Sequence, residues 1–205
     1  MSFQFICPFI RKEELWERAE HIRTTYLENE SLPIDSGLIC EKAGMHIVPT
    51  TDMPEIFDCC IILNRNELCV NWKRYMDDRN ENRLRFTFAH ELGHFVLHRS
   101  ILEDLSLQTI DDYLEFLDAE KDEAYSRFEF QAHEFAGRLL VPRDLLQERF
   151  EKLISSVPAD QRPFVALNLD YFKDVASEKM CGEFGVSRKV IAIRLEREGL
   201  WPPSL

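Results

Sequence analysis

The chain has 205 residues, enough for one domain with a substantial core, and its apolar share of 45% is ordinary for a globular protein. A formal net charge of −12 and a pI near 5.0 oppose nonspecific binding to nucleic acids and anionic membranes. No apolar run reaches the ~18 residues of a membrane-spanning helix. The apolar N-terminus lacks the basic lead and cleavage site of a signal peptide, and the six cysteines show no C-x-x-C spacing. These features predict a soluble, cytoplasmic protein with reduced cysteines and no membrane contact.

The first part of the chain is predicted to form two helices followed by three strands. Apolar residues recur at helical spacing from residue 11 to residue 28. Asp35 or Ser36 can cap a second, short helix, which Gly44 would end. Two short apolar runs are joined by an Asn-rich turn, a pattern typical of an antiparallel hairpin. The predicted elements are helices over 11–28 and 36–42 and strands over 45–48, 59–63 and 68–72.

The second part of the chain is predicted to be helical. The predicted helices cover residues 83–99, 124–140, 145–154, 171–181 and 188–198. Between the first two lies a strongly acidic segment, residues 102–123, with apolar residues at helical spacing in its middle. This segment is either a solvated connector containing one amphipathic helix or a lid beside a functional site.

These elements predict an α+β fold that is mostly helical, with a small antiparallel sheet packed beside the helix over 83–99. Residues 1–160 are expected to form the main domain. Residues 161–205 are expected to form a helical extension packed on it, because the last helical pair carries apolar positions that need burial.

The most informative motif is H-E-x-x-H at residues 90–94, on a segment predicted to be helical. Residues four apart lie on one face of a helix, so His90 and His94 can bind the same metal ion. Glu91 lies beside them and can act as the general base that takes a proton from metal-activated water. The motif therefore predicts a catalytic Zn²⁺, although the same ligands suit other divalent ions.

A catalytic zinc site needs a third protein ligand, and the candidates are His98, Glu129, His133 and Glu134. On a straight helix His90 and His98 are about 12 Å apart along the axis, which argues against His98 as a ligand and favours a supporting contact. Glu129 lies on the next long helix and would complete the His2Glu set of gluzincin-type peptidases. His133, one turn later, could instead orient a ligating imidazole by a hydrogen bond.

Two segments carry a resemblance to a known family. Residues 85–98 (RFTFAHELGHFVLH) and 129–142 (EFQAHEFAGRLLVP) resemble the two metal-site motifs of the ImmA/IrrE family of zinc metallopeptidases. Weaker similarity extends over about residues 30–200. The family's third ligand falls on Glu129. His133 stands where the family usually has Asn or Asp, so it is either an orienting residue or an alternative ligand.

The resemblance implies that residues 1–160 form a zincin-like metallopeptidase domain. It also implies a zinc-dependent endopeptidase whose substrate is a regulatory protein such as a transcriptional repressor. Zn²⁺ would be held by His90, His94 and Glu129, with Glu91 as the base. Hydrolysis also needs a donor to the tetrahedral oxyanion, for which Tyr113, Tyr125 and His133 are the candidates.

Two other functions stay open. In the first, a metal-binding regulator has a structural zinc site, and a C-terminal helix-turn-helix over 180–198 binds DNA. Arg188, Lys189, Arg194 and Arg197 outnumber the two acidic residues of its second helix, which suggests phosphate contact. In the second, the chain is a zinc-containing protein-interaction partner without turnover.

Overall fold

The computed structural model describes residues 5–28, 31–118 and 122–203. The described helices are α1 (Lys12–Tyr26), α2 (Ser36–Lys42), α3 (Trp72–Tyr75), α4 (Glu81–Leu97), α5 (Arg99–Leu105), α6 (Ile110–Asp118), α7 (Glu123–Leu140), α8 (Arg143–Ser155), α9 (Arg162–Leu167), α10 (Leu169–Phe184) and α11 (Arg188–Arg197). The strands are β1 (His46–Thr50), β2 (Cys59–Ile62) and β3 (Glu67–Asn71). The fold class is confirmed as α+β and mostly helical.

The N-terminal helices follow their predicted signals. The Asp35 carboxylate accepts a hydrogen bond from the Leu38 backbone N–H at 2.9 Å and so caps α2. Gly44, with φ of 88°, takes the left-handed conformation that follows the helix, where a side chain would be strained. The predicted boundaries of these helices therefore agree with the structure within two residues.

The sheet is small and mixed rather than antiparallel throughout. The predicted hairpin is confirmed, because β2 and β3 pair antiparallel around a 3-10 turn at Leu63–Arg65. The first strand, however, adds to the other edge of β3 in parallel, with Val48 opposite Cys69. Alternating apolar residues specify which face of a strand is buried, but not which neighbour it joins or in which direction.

The helices α4 and α7 pack against each other at the centre of the core. Their facing side chains Leu92, Phe135 and Leu139 are fully buried. The helices approach closely at Gly93, where an added Cβ would lie 3.2 Å from the Cα and the carbonyl oxygen of Ala132. This close crossing brings the H-E-x-x-H face of α4 next to the glutamate on α7.

The acidic segment over 102–123 forms more helix than predicted, although residues 119–121 lie outside the described part. A short helix, α5, follows α4 at once, and the expected amphipathic helix is α6. Ile110 and Tyr113 of α6 pack near β2, beside the buried residues Met53 and Cys60. The acidic helix α6 therefore packs on the face of the sheet that carries Cys60 and Cys69.

The last two helices form a tight pair. Gly185, with φ of 62°, ends α10, and the Ser187 hydroxyl accepts from the Val190 N–H at 3.3 Å and caps α11. Ile191 and Leu195 are buried, and α11 packs on α7. Among the described residues no helix is long and apolar enough to cross a membrane.

Candidate metal centre

His90 and His94 lie one turn apart on α4 and point their rings toward the same place. Their Nε2 atoms are 3.0 Å apart, and their rings meet edge to face with centroids 4.6 Å apart. His94 is 3% exposed and His90 is only partly exposed. The helical spacing thus produces the paired imidazoles that the motif predicted.

Glu129 approaches this pair from α7. Its Oε2 lies 3.3 Å from His90 Nε2, and its Oε1 lies 3.5 Å from His94 Nε2. In a tetrahedral zinc site with ligand bonds of 2.0–2.1 Å, neighbouring ligand atoms are about 3.3 Å apart. The separations of 3.0–3.5 Å among these three groups therefore fit a single divalent cation.

A chain of hydrogen bonds determines which nitrogen of His94 faces this point. The Pro8 carbonyl can only accept, so the Gln131 amide N–H donates to it at 2.8 Å and Gln131 Oε1 faces His98. His98 Nε2–H then donates to Gln131 Oε1 at 2.8 Å, which leaves His98 Nδ1 as an acceptor, 3.0 Å from His94 Nδ1. His94 Nδ1 thus carries the proton, and the lone pair of its Nε2 points toward Glu129.

His98 consequently lies on the far side of the His94 ring and does not converge with the Nε2 atoms. His133 lies nearer to them. Its ring centroid is 4.4 Å from that of His90, and its Nδ1 is 2.9 Å from the Glu129 carbonyl oxygen. One ligand atom each from His90, Glu129 and His133 fit within 4.8 Å of one another. This set is looser than the one containing His94.

Glu134, the remaining candidate ligand, points away from the cluster. Its carboxylate pairs with Arg194 at 3.4 Å and Arg197 at 3.5 Å, and accepts a hydrogen bond from the Trp16 indole N–H at 3.4 Å. These three partners occupy it at the junction of α1, α7 and α11.

Burial sets the charge states around the cluster. Burial lowers the pKa of His94 to about 3 and that of His98 to about 4, so both rings are neutral at pH 7, as metal coordination requires. Burial acts against ionisation of Glu129, but the neighbouring imidazoles of His90 and His94 hold its pKa well below the usual range. The three converging groups thus present neutral nitrogens and a carboxylate.

Glu91 lies on the same helix and is 5% exposed. Burial raises its pKa to about 7, His90 opposes this rise, and the negative charge of Glu129 adds to it. A carboxylate with a pKa near 7 can both take and return a proton at neutral pH.

Two tyrosines stand near these carboxylates. Burial raises the pKa of Tyr113, and the negative charges of Glu91 and Glu129 raise it further. Burial and the neighbouring Glu129 carboxylate likewise raise the pKa of Tyr125. Both phenols are therefore protonated at neutral pH and able to donate a hydrogen bond.

Gln131 and Trp16 are two residues near the site that the sequence did not predict. Gln131 is 1% exposed and belongs to the helix that carries Glu129, but it faces His98. A polar residue within the apolar stripe of a helix was the available signal. Trp16 is fixed by contacts with two other helices, which sequence spacing does not reveal.

The geometry agrees with comparisons against known proteins. The model of the family Peptidase_M78, described as an IrrE N-terminal-like domain, matches residues 74–196, which is more than half of the chain. A solved structure described as a Mycobacterium tuberculosis transcriptional regulator has a similar fold, with a TM-score of 0.55 and 16% sequence identity. That similarity covers 89% of this chain and 46% of the other, so this chain spans less than half the length of that protein. No curated protein matches.

Proposed function

We propose that this chain, which belongs to the Peptidase_M78 family of IrrE N-terminal-like domains, is a zinc-dependent endopeptidase. The single observation that carries the proposal is the convergence of His90 Nε2, His94 Nε2 and the Glu129 carboxylate within 3.0–3.5 Å. Two imidazoles and a carboxylate are a donor set of catalytic zinc sites, which keep a further position free for the reaction.

In this proposal His90, His94 and Glu129 hold the cation. When bound, the cation supplies Lewis acidity that polarises a peptide carbonyl and makes water a stronger acid. His98 and Gln131 act through His94, because their hydrogen bonds keep its proton on Nδ1 and its Nε2 lone pair available. His133 orients the Glu129 segment through the backbone carbonyl of that residue, and remains the alternative third ligand.

Glu91 serves as the general base. It removes a proton from the attacking water and delivers it to the leaving amine, and its pKa near 7 suits both steps. The tetrahedral oxyanion would accept a hydrogen bond from a tyrosine hydroxyl. Tyr113 and Tyr125 are both candidates, because burial and the charges of Glu91 and Glu129 raise the pKa of each phenol and keep it protonated.

The substrate is proposed to be a regulatory protein such as a transcriptional repressor, in line with the family resemblance. The six cysteines are unpaired, which supports a reducing, cytoplasmic location. We also propose residues 1–160 as the peptidase domain and 161–205 as a helical extension, supported by the packing of α11 on α7.

Metal content tests the centre directly. Purified wild-type protein and the variants His90→Ala, Glu129→Ala and Glu91→Gln are compared for bound zinc and for cleavage of casein and of repressors encoded nearby. His21→Ala is the matched control, because His21 is exposed on α1. We expect one zinc per chain in wild type, Glu91→Gln and the control, and cleavage in wild type and control alone.

Specific results would contradict this scheme. Near-normal zinc in Glu129→Ala would move the third ligand to His133 or His98. Cleavage unchanged in Glu91→Gln would remove the proposed base.

The rival function is a DNA-binding regulator with a structural zinc. Its support is the capped turn before α11 and the description of the similar fold as a transcriptional regulator. Against it, Arg194 is buried in an ion-pair cluster and Arg197 lies over Phe130, with a distance of 5.2 Å to the ring centroid. Glu91→Gln would leave DNA binding intact and would abolish peptide hydrolysis, which separates the two functions.

A further inference from the structure

An apolar pocket of about 300 Å³ lies beside the candidate metal centre, between α4, α7 and α11. This volume is at the lower end of the ~300–1,000 Å³ range of ligand sites, so it suits one side chain rather than a larger molecule. Its walls are formed by Phe86, Phe130, His133, Gly137, Val190 and Ile193.

The pocket keeps apolar surface uncovered. Phe130 is 44% exposed and Ile193 is 38% exposed, although both lie next to a concave surface. An apolar occupant would remove this area from water, which is favourable by roughly 25 cal/mol per Å². The walls therefore favour an aliphatic or aromatic group.

The charged groups that line the pocket are already paired with one another. The Glu134 carboxylate pairs with Arg194 and Arg197, and the Arg197 guanidinium also lies over the Phe130 ring. Each of these charged groups therefore already has an ion-pair partner within the protein. A charged occupant would lose its hydration without gaining a partner.

His133 connects the pocket to the metal centre. Its ring lies 5.8 Å from Phe86 inside the pocket and 4.4 Å from His90 at the centre. Consecutive Cα atoms of a peptide are 3.8 Å apart. A peptide with a carbonyl at His90 and Glu129 would thus place a neighbouring side chain at the pocket.

We infer that this pocket is the specificity subsite of the proposed peptidase and takes one large apolar side chain (Leu, Met or Phe) next to the scissile bond. The inference rests on the proposed function, since it assigns part of the substrate to that site. It commits to a side chain of the substrate as the occupant.

Binding to the metal-free protein tests the pocket apart from catalysis. N-acetyl-leucine amide and N-acetyl-glutamate amide are titrated while the methyl NMR signals of Val190 and Ile193 are followed. We expect concentration-dependent shifts with the leucine compound and none with the glutamate compound. Ile193→Glu should weaken leucine-amide binding at least tenfold, whereas Leu167→Glu, at a position that is 86% exposed on α9, should not change it.

Cleavage of a mixed peptide library tests the specificity. Wild type should prefer Leu, Met or Phe over Glu by at least tenfold at one position adjoining the cut. Ile193→Glu should reduce this preference, and Ile193→Ala should shift it toward Phe.

The outcomes distinguish a failure of the proposed subsite from a failure of the proposed peptidase function. Efficient, zinc-dependent cleavage with no apolar preference, or with a preference unchanged in Ile193→Glu, would overturn the subsite and leave the peptidase standing. Absence of zinc and cleavage would overturn the peptidase and the subsite with it, and leucine-amide binding would then define only a small-molecule pocket.

Discussion

Replacing Gly93 by Ala separates helix propensity from the close packing of α4 and α7. Within a helix, Gly→Ala normally stabilises by about 1 kcal/mol. At Gly93, however, the new Cβ would lie 3.2 Å from two backbone atoms of Ala132 and 3.2 Å from Phe135 Cδ1. The backbone atoms cannot rotate away, and overpacking of this kind costs about 1–3 kcal/mol. We expect Gly93→Ala to lower the free energy of unfolding by about 1 kcal/mol.

The matched control is Gly182→Ala on α10. An added Cβ there meets no atom within 4 Å, so only the propensity gain of about 1 kcal/mol remains. Urea unfolding of the metal-free proteins should therefore separate the two variants by about 2 kcal/mol. Because Gly93→Ala would push Glu129 away from the histidines, zinc titration should also show weaker binding. Equal stabilisation by both substitutions, with unchanged zinc affinity, would refute this account of the helix crossing.

Three further predictions concern charges and metal. Arg194→Leu should lower the free energy of unfolding, measured by urea titration, by about 3 kcal/mol, because it removes one partner of the buried Glu198 carboxylate. The control Arg188→Leu, at an exposed position, should change this free energy by less than about 0.5 kcal/mol. The metal-free protein should lose stability as pH falls from about 6.5 to 5. His94 and His98 stay neutral in the fold, with pKa values lowered to about 3 and 4, but take up protons when unfolded, which costs up to about 2 kcal/mol each at pH 5. The buried Glu91 contributes to stability in the opposite direction, because its pKa is raised to about 7 in the fold and it takes up a proton more readily there than in the unfolded chain. A rise in stability on acidification would show that this contribution dominates. Zinc at 100 times its dissociation constant should stabilise wild type by about 2.7 kcal/mol, and chelation should reverse this shift in melting experiments.

Features that depend on neighbouring residues could be predicted from the sequence. The cap at Asp35, the spacing of His90 and His94 and the Asn-rich turn each depend on residues a few positions apart. The convergence of Glu129 on α4 was also predicted, from a family resemblance and from the helical spacing around it. The cap, the histidine spacing and the turn agree with the structure because short-range geometry determines them. The contact of Glu129 joins two separate helices, and its prediction needed the resemblance.

The missing parts depend on how distant elements are oriented. The parallel pairing of β1 with β3 needs a chain path that no local pattern encodes. The short helices α5 and α9 have too few turns to show a clear period. Predicting the contact of Gln131 with His98 would require the relative rotation of α4 and α7. Predicting the apolar pocket would require the arrangement of α4, α7 and α11 together.

The indole of Trp16 has a consequence for how this molecule could be controlled from outside. The guanidinium groups of Arg138 and Arg194 each lie 4.9 Å from its ring centroid, so this side chain of α1 contacts both α7 and α11. Displacing α11 would remove both arginine partners of Glu134, which lies five residues after Glu129 on α7. The position of α11 is thus coupled to the helix that carries the proposed ligand Glu129, and the fluorescence of this indole would report whether α11 is in place.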